Sequence, residues 1–343
     1  MHPFLCGLSA GLPRVGFWEM PVVIAVSGGA DSVALLLGLT RLAPPQARLV
    51  VAHACHDLRP DAVDDLRFVA ALAARMRLPC ESRPLAVRTD TEGLGEGVEA
   101  RARRLRYEFF VATARERGAR HVVVGHTADD QAETILHRAL RGTGIAGLAG
   151  MRPGRMLAEG ISLLRPLLHL PRALAREYLM AEGEAWIEDV TNADRRFARN
   201  FLRHEILAPA ERGPYPAAVR ALARLGRQAA AVAAALDSAA GRLLEAHVQR
   251  HADGRIVIDA AALVGLDRQL VAQMAVVLWE REGWPRRDMA ARHYETIADL
   301  VADVGRGDRP ARPAFDLPAG VRMTAAAHGR IELRRQARAA AAQ

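Results

Sequence analysis

Between Val22 and about residue 210 the chain alternates short apolar runs with longer amphipathic stretches. VVIAV (Val22–Val26) is a continuous run of strand formers that stops at Ser27, Gly28 and Gly29, after which ADSVALLLGL resumes at helical spacing. The same test predicts further strands at 48–54, 81–87, 121–125 and 161–168, with helices at 32–42, 61–77, 97–117, from 127, 171–181 and 193–208. Strands alternating with helices predict a parallel sheet covered on both faces, with ligands at the carboxyl ends of its strands. The pattern breaks at AERGPYP, and from Ala217 alanine, leucine and arginine recur at helix period, with another helix at 267–282 and short strands in FDLPAG, VRMTAAA and RIELRR. The expected class is α/β: a Rossmann-like parallel-sheet domain over 1–212, and a smaller, mainly helical domain over 213–343 that ends in short strands.

Composition narrows the function. The 343 residues are 50% hydrophobic, enough for a substantial core, and carry a formal charge of +8, which favours an acidic partner such as nucleic acid. All 47 basic residues are arginines, because the chain contains no lysine. A Walker loop requires a lysine on the phosphates, which argues against P-loop kinases and GTPases, and the turn that follows VVIAV is not G-x-G-x-x-G either. Cys6, Cys55 and Cys80 form no C-x-x-C pair, which argues against a disulfide framework, zinc or an iron–sulfur cluster and for a reducing cytoplasm. The first twenty residues lack the basic start and apolar core of a signal peptide, and no membrane span is expected.

Two stretches carry candidate chemistry. In SGGADS the turn presents backbone amides at a helix start, Gly28 and Gly29 let an anion approach, and the hydroxyls of Ser27 and Ser32 can donate to it. A plain strand-to-helix cap has the same composition. In GHTADDQAET, Thr127 can cap a helix whose first turn holds Asp129, Asp130 and Glu133, with Asp130 and Glu133 on one face and His126 just before. First-turn acids are ordinary partners of the helix dipole, but three carboxylates can also hold magnesium or orient an amine. Further on, Arg195, Arg199 and Arg203 fall four apart, which on a helix makes one basic stripe suited to RNA phosphates or simply to solvent.

SGGADS resembles the pyrophosphate loop (PP-loop) of the N-type ATP pyrophosphatases. Taken in order with HACHDLRP, ARRLRY, GHTADDQAET, RGTGIAGLAGM, LLRPLL, WIEDVTNAD and FARNFLR, it resembles the tRNA(Ile)-lysidine synthetases, in a short two-domain form. The resemblance implies an ATP-dependent ligase joining L-lysine to carbon 2 of the wobble cytidine of a tRNA(Ile) with a CAU anticodon. The cytidine is first adenylated, and decoding changes from AUG to AUA. It implies that Ser27, Gly28, Gly29, Ala30, Asp31, Ser32 and His126 bind ATP with Mg2+, and that Arg106, Asp130 and Glu133 are catalytic. It leaves room for a homodimer. Asp57 stands where many members have glycine, and Arg104 and Leu105 depart from the usual pattern around Arg106. The alternatives are a PP-loop tRNA-thiolating enzyme, which would need reactive cysteines, and an inactive nucleotide- or RNA-binding module, which would not need all three carboxylates.

Overall fold

The computed structural model describes residues 1–56, 62–87, 90, 97–188, 198–286, 288–308, 310 and 312–335. Asp57, Arg195 and the alanine-rich end after Arg335 lie outside the described residues. There are two compact units, Met1–Ala230 and Ala231–Gln343.

The first unit contains, in order, α1 (Pro3–Ala10), β1 (Val22–Ala25), α2 (Ala30–Leu42), β2 (Leu49–His56), α3 (Ala62–Arg75), β3 (Cys80–Leu85), α4 (Val98–Glu116), β4 (His121–Val123), α5 (Ala128–Leu140), α6 (Ile145–Leu148), β5 (Gly154–Ala158), β6 (Ile161–Leu164), α7 (Arg172–Glu182), α8 (Ala198–Phe201), a π-helix (Leu202–Leu207), α9 (Ala208–Arg212) and the start of α10 (Ala218–His247). The sheet order is β3-β2-β1-β4-β6-β5. Five strands are parallel, while β5 runs antiparallel to β6 at one edge. The edge strand was not expected, because GRMLA is largely exposed and shows no apolar alternation. Pro166 follows two residues after β6, and the strand ends at Leu164 rather than at residue 168.

Alternation within β1 explains the two-faced sheet. Val22 and Ile24 join a core with Phe4, Leu8, Leu36, Val69 and Tyr178, supplied by α1, α2, α3 and α7. Val23 and Ala25 join the opposite core with Phe109, Phe110, Val122 and Leu163. Both faces are therefore dry, as a parallel strand without polar residues requires. The early helix α1 escaped the sequence pattern because Pro3 and Gly7 interrupt it. Pro3 is compatible with the first helical turn, and His2 Nδ1 accepts the Phe4 amide there at 3.1 Å.

β1 and β4 are direct neighbours, with Val22 opposite His121 and Ile24 opposite Val123. From β1 the chain proceeds outward to β2 and β3, whereas β4 leads to the other side, so a crevice opens between the loops that follow β1 and β4. Gly125 makes that crevice narrow at its base. A Cβ there would lie 2.8 Å from the Asp31 carbonyl oxygen and 3.1 Å from the Ser32 amide nitrogen.

In the second unit, α10 continues to His247 and is followed by β7 (Val248–Arg250), β8 (Ile256–Asp259), α11 (Arg268–Arg281), α12 (Ala291–Arg306), β9 (Ala314–Leu317), β10 (Val321–Ala326) and β11 (Arg330–Arg335). The strands form an antiparallel sheet of order β7-β8-β11-β10-β9 over a core around Trp279, Met274, Val301 and Met323. The expected helix at 267–282 and the three closing strands are present; β7, β8 and α12 are additions. α12 lacks a recognisable start signal, since the side chain capping the Ala290 amide is that of His293.

Replacing Gly125 by alanine is expected to push the loop after β4 away from α2 and destabilise the first unit by about 1–3 kcal/mol. Thermal melting checks this: a variant that melts like the parent would show that the loop does not press on α2.

Candidate active site

The turn after β1 is built by its own side chains. Ser32 Oγ accepts the Ser27 amide at 3.1 Å and donates to the Gly29 carbonyl at 2.8 Å, which folds the loop back on the first turn of α2. Gly28 holds φ +94°, and the Ile187 amide donates to its carbonyl at 2.9 Å. Gly29 is the N-cap of α2 with ordinary φ −71°, and the nearest atom to a Cβ placed there would be Ser27 Oγ at 3.7 Å. Gly28 is thus demanded by backbone geometry, while Gly29 leaves open space in front of amides that have no intrahelical acceptor. Such amides at a helix start suit an anion.

Across the crevice, α5 begins at Thr127. Its amide and hydroxyl both donate to Asp130 Oδ2, at 2.8 and 2.9 Å. Asp130 therefore caps the helix with one oxygen and turns the other, Oδ1, into the crevice. There the guanidinium of Arg172, at the start of α7, donates through Nη2 to Asp130 Oδ1 at 3.0 Å and through Nε to Asp31 Oδ2 at 2.9 Å, while Nη1 stands 3.8 Å from Glu133 Oε1. The Arg172 amide donates to Asp129 at 2.8 Å, and the Ala128 amide donates to the Leu170 carbonyl at 2.8 Å, so the starts of α5 and α7 are tied together. Arg203 closes the group: its Nε donates to Glu133 Oε1 at 2.7 Å, and its Nη2 lies 3.9 Å from Asp130 Oδ1.

Three carboxylates thus meet two guanidiniums, with Asp129 held by a backbone amide alongside, leaving a net negative basket beside an amide turn that attracts negative charge. The acids do not titrate alike. Burial lifts the Asp31 carboxyl from its ordinary 3.8 to about 6, even though Arg172 opposes the shift. Burial alone would also raise Asp130, but Arg172, His126 and the two bonds from Thr127 hold it below the usual carboxylate range. Glu133, only 2% exposed at its side chain, is raised by burial against the pull of Arg203. His126 is pushed down to about 4 by burial, so its ring is neutral at pH 7 and suits an uncharged partner rather than a phosphate. Two polar atoms buried here, Asp31 Oδ1 and His126 Nδ1, have no hydrogen-bond partner among the described residues. Oxygens of Asp31 and Asp130 are the donor type that magnesium takes, and the unpartnered Asp31 Oδ1 fits that use.

Of the residues singled out from the sequence, Asp31, Asp130 and Glu133 converge on Arg172, and Ser27, Gly28, Gly29, Ala30 and Ser32 form the facing turn. Arg106 is exposed on α4 in the electrostatic neighbourhood of Arg103 and Arg199. Of the expected stripe, Arg195 lies outside the described residues, and Arg199 and Arg203 do not share one exposed face. The helix passes from α to π geometry at Leu202, where hydrogen bonds reach five residues on and residues four apart no longer stack. Arg199 remains exposed; Arg203 turns inward to Glu133. Sequence reading missed Arg172, although a signal exists: a cation in the first turn of a helix that has no first-turn acid opposes the helix dipole and needs carboxylates from elsewhere.

The fold and the phosphate turn at its switch point define a PP-loop protein, and the PP-loop domain family matches residues 16–210. Similar curated proteins are the tRNA(Ile)-lysidine synthases of Thermus thermophilus (47% identical over 225 residues, 65% of this chain and 42% of that one), Rhodopirellula baltica (31%, 83% and 80%) and a Methylobacterium species (42%, 71% and 69%). The chain belongs to the tRNA(Ile)-lysidine synthase family. It spans 42% of the length of the Thermus relatives it matches. Among solved structures, a U34-tRNA thiolase from Methanococcus maripaludis shares the fold, with a TM-score of 0.54 at 13% identity, covering 66% of this chain and 77% of that one. Among the described residues, no helix is long and apolar enough to cross a membrane.

The Asp31 shift has a definite sign. A carboxyl whose folded value lies above its ordinary one contributes stability at low pH that is lost as pH rises from about 4 to about 6. Asp31→Asn, which keeps an acceptor for Arg172, is therefore expected to melt at a higher temperature than the parent at pH 8 and to lose that advantage toward pH 4. A variant that melts lower at pH 8 would show that pairing with Arg172 outweighs burial.

Proposed function

We propose that the site ligates L-lysine to carbon 2 of the wobble cytidine of a tRNA(Ile) with a CAU anticodon, at the expense of ATP. One observation carries this reading: an amide turn for an anion and a carboxylate basket for a cation open side by side off β1 and β4. In the first step the cytidine 2-oxygen attacks the α-phosphorus of ATP and pyrophosphate leaves. In the second the lysine amine attacks carbon 2 and AMP leaves with that oxygen. Ser27, Gly28, Gly29, Ala30, Asp31 and Ser32 hold the phosphates, and His126, being neutral, contacts base or ribose. Magnesium, when bound through Asp31, would neutralise phosphate charge. Asp130 and Glu133 receive the lysine ammonium. Glu133, raised by burial, is the better acceptor of the proton that the amine must lose before it attacks. Arg106, carried by the family motif, neutralises charge at the transferring phosphorus.

Charge supports an RNA partner. Arg103, Arg165 and Arg199 lie close enough to His126 to act on it electrostatically, and Arg103 and Arg199 act likewise on Arg138. A cytoplasmic location and the two-domain division near residue 212 belong to the same reading, as does a homodimer. The thiolation alternative gains no support from the cysteines: Cys6 is exposed on α1, and Cys55 and Cys80 sit at opposite ends of the β2–β3 pairing, opposite Pro84 and Val51.

Release of pyrophosphate and AMP, measured with a CAU-anticodon transcript in the presence and absence of lysine, tests the reaction; lysine-independent formation of a stable product would sink it. Asp130→Asn and Glu133→Gln are expected to lower lysine-dependent turnover at least about 100-fold while the chain stays folded. Parental turnover in either variant removes that residue from the site. Gly29→Val, for which the protein has room, is expected to fold normally and abolish ATP binding in calorimetry.

The two arginines of the broken stripe separate by salt dependence. Arg199→Ala is expected to weaken tRNA binding and flatten the plot of log affinity against log salt by about 0.7–0.9. Arg203→Ala is expected to keep the slope and lose lysine-dependent turnover. Identical slopes for both variants and the parent would place the tRNA phosphates elsewhere.

A further inference from the structure

Arg172 touches both halves of the site with one side chain. Its Nε is bonded to Asp31 at the start of α2, 2.9 Å away, and its Nη2 to Asp130 on α5, 3.0 Å away. Nη1 faces Glu133 at 3.8 Å, and the backbone amide of the same residue is anchored to Asp129 at 2.8 Å. The side chain is 18% exposed, so these charges interact with little screening by water. The guanidinium therefore covers the oxygens that an ammonium would use, and it does so within reach of the turn where phosphates would lie.

The geometry points to Arg172 as a positioning residue that couples the two ligand subsites, so that nucleotide and amine each bind more tightly in the presence of the other. The inference rests on the reading of the site as one for ATP and lysine. Polyphosphate in the turn after β1 draws the guanidinium toward α2 and uncovers Asp130 and Glu133, which then bind an ammonium without competition. An ammonium at Asp130 and Glu133 repels the guanidinium toward α2, where it meets the phosphates. The effect is reciprocal because both ligands shift the same two-position side chain. A lysine at this position presents one ammonium nitrogen in place of the separate Nε and Nη2 that bond Asp31 and Asp130, which distinguishes the fork from its charge.

Calorimetry on the full chain tests this. Lysine is titrated with and without a saturating non-hydrolysable ATP analogue and Mg2+, for the parent and for Arg172→Gln. The parent is expected to bind lysine at least about 5-fold more tightly with the nucleotide present. In Arg172→Gln that ratio is expected to fall to near one, with lysine binding in the absence of nucleotide no weaker than in the parent. A merely structural role would weaken both affinities and preserve the ratio, and that result overturns the coupling. Lysine binding by the parent that ignores the nucleotide overturns the coupling but leaves the proposed reaction standing. No lysine binding under either condition overturns both. Should Arg172→Gln fail to fold, Arg172→Lys reads the same ratio, expected between one and the parental value; a fully parental ratio there overturns the role of the fork.

Discussion

The site depends on keeping several carboxylates together in a poorly hydrated crevice. Like charges in such a place raise one another's proton affinity and repel, and the arrangement survives only where cations are brought to it. Arg172 and Arg203 supply them from α7 and from the π-helix, segments far from α2 and α5 in the chain. The compensation is uneven, and the unevenness is useful. Asp130, bonded to Thr127 and Arg172, stays charged; Asp31 and Glu133, where burial outweighs pairing, titrate higher. Neighbouring acids with separated proton affinities can divide binding and proton transfer between them.

The scaffold makes that crevice by topology. Strand order places β1 beside β4, and the two loops with chemistry leave the sheet side by side at the point where the chain reverses direction across it. Gly125 then brings the second loop against the backbone of α2, which fixes the carboxylates of α5 relative to the amide turn. Asp130 serves as helix cap and as site ligand at once, using one oxygen for each. Capping and chemistry, which look like competing explanations of an acid in a first helical turn, are here the same residue seen from two sides.

The π-helix at Leu202–Leu207 has a comparable dual character. Widened turns of this kind are uncommon and are frequent at functional sites. This one delivers Arg203 to Glu133 while Leu202 and Leu207 remain buried, so packing and electrostatics are satisfied by the same six residues.

The α/β class, the position of nearly every strand in the main sheet and the two loops of the site are legible in the sequence, because each is a local pattern. VVIAV read against SGGADS gives a strand, a turn and a helix, and the spacing of Asp130 and Glu133 gives a shared face. The edge strand β5, the interrupted helix α1 and α12 with its histidine cap carry weak local signals and depend on the elements they pack against or pair with. What only tertiary structure decides is which charges meet. Asp31 and Arg172 are 141 residues apart, and Glu133 and Arg203 are 70 apart. No periodicity relates them, and helical spacing even suggests an outward stripe for Arg203. The sequence determines the acids and the turn; the pairing of β1 with β4 and the switch to π geometry determine which arginines neutralise them, because Coulomb pairing depends on distance in space and carries no record in spacing along the chain.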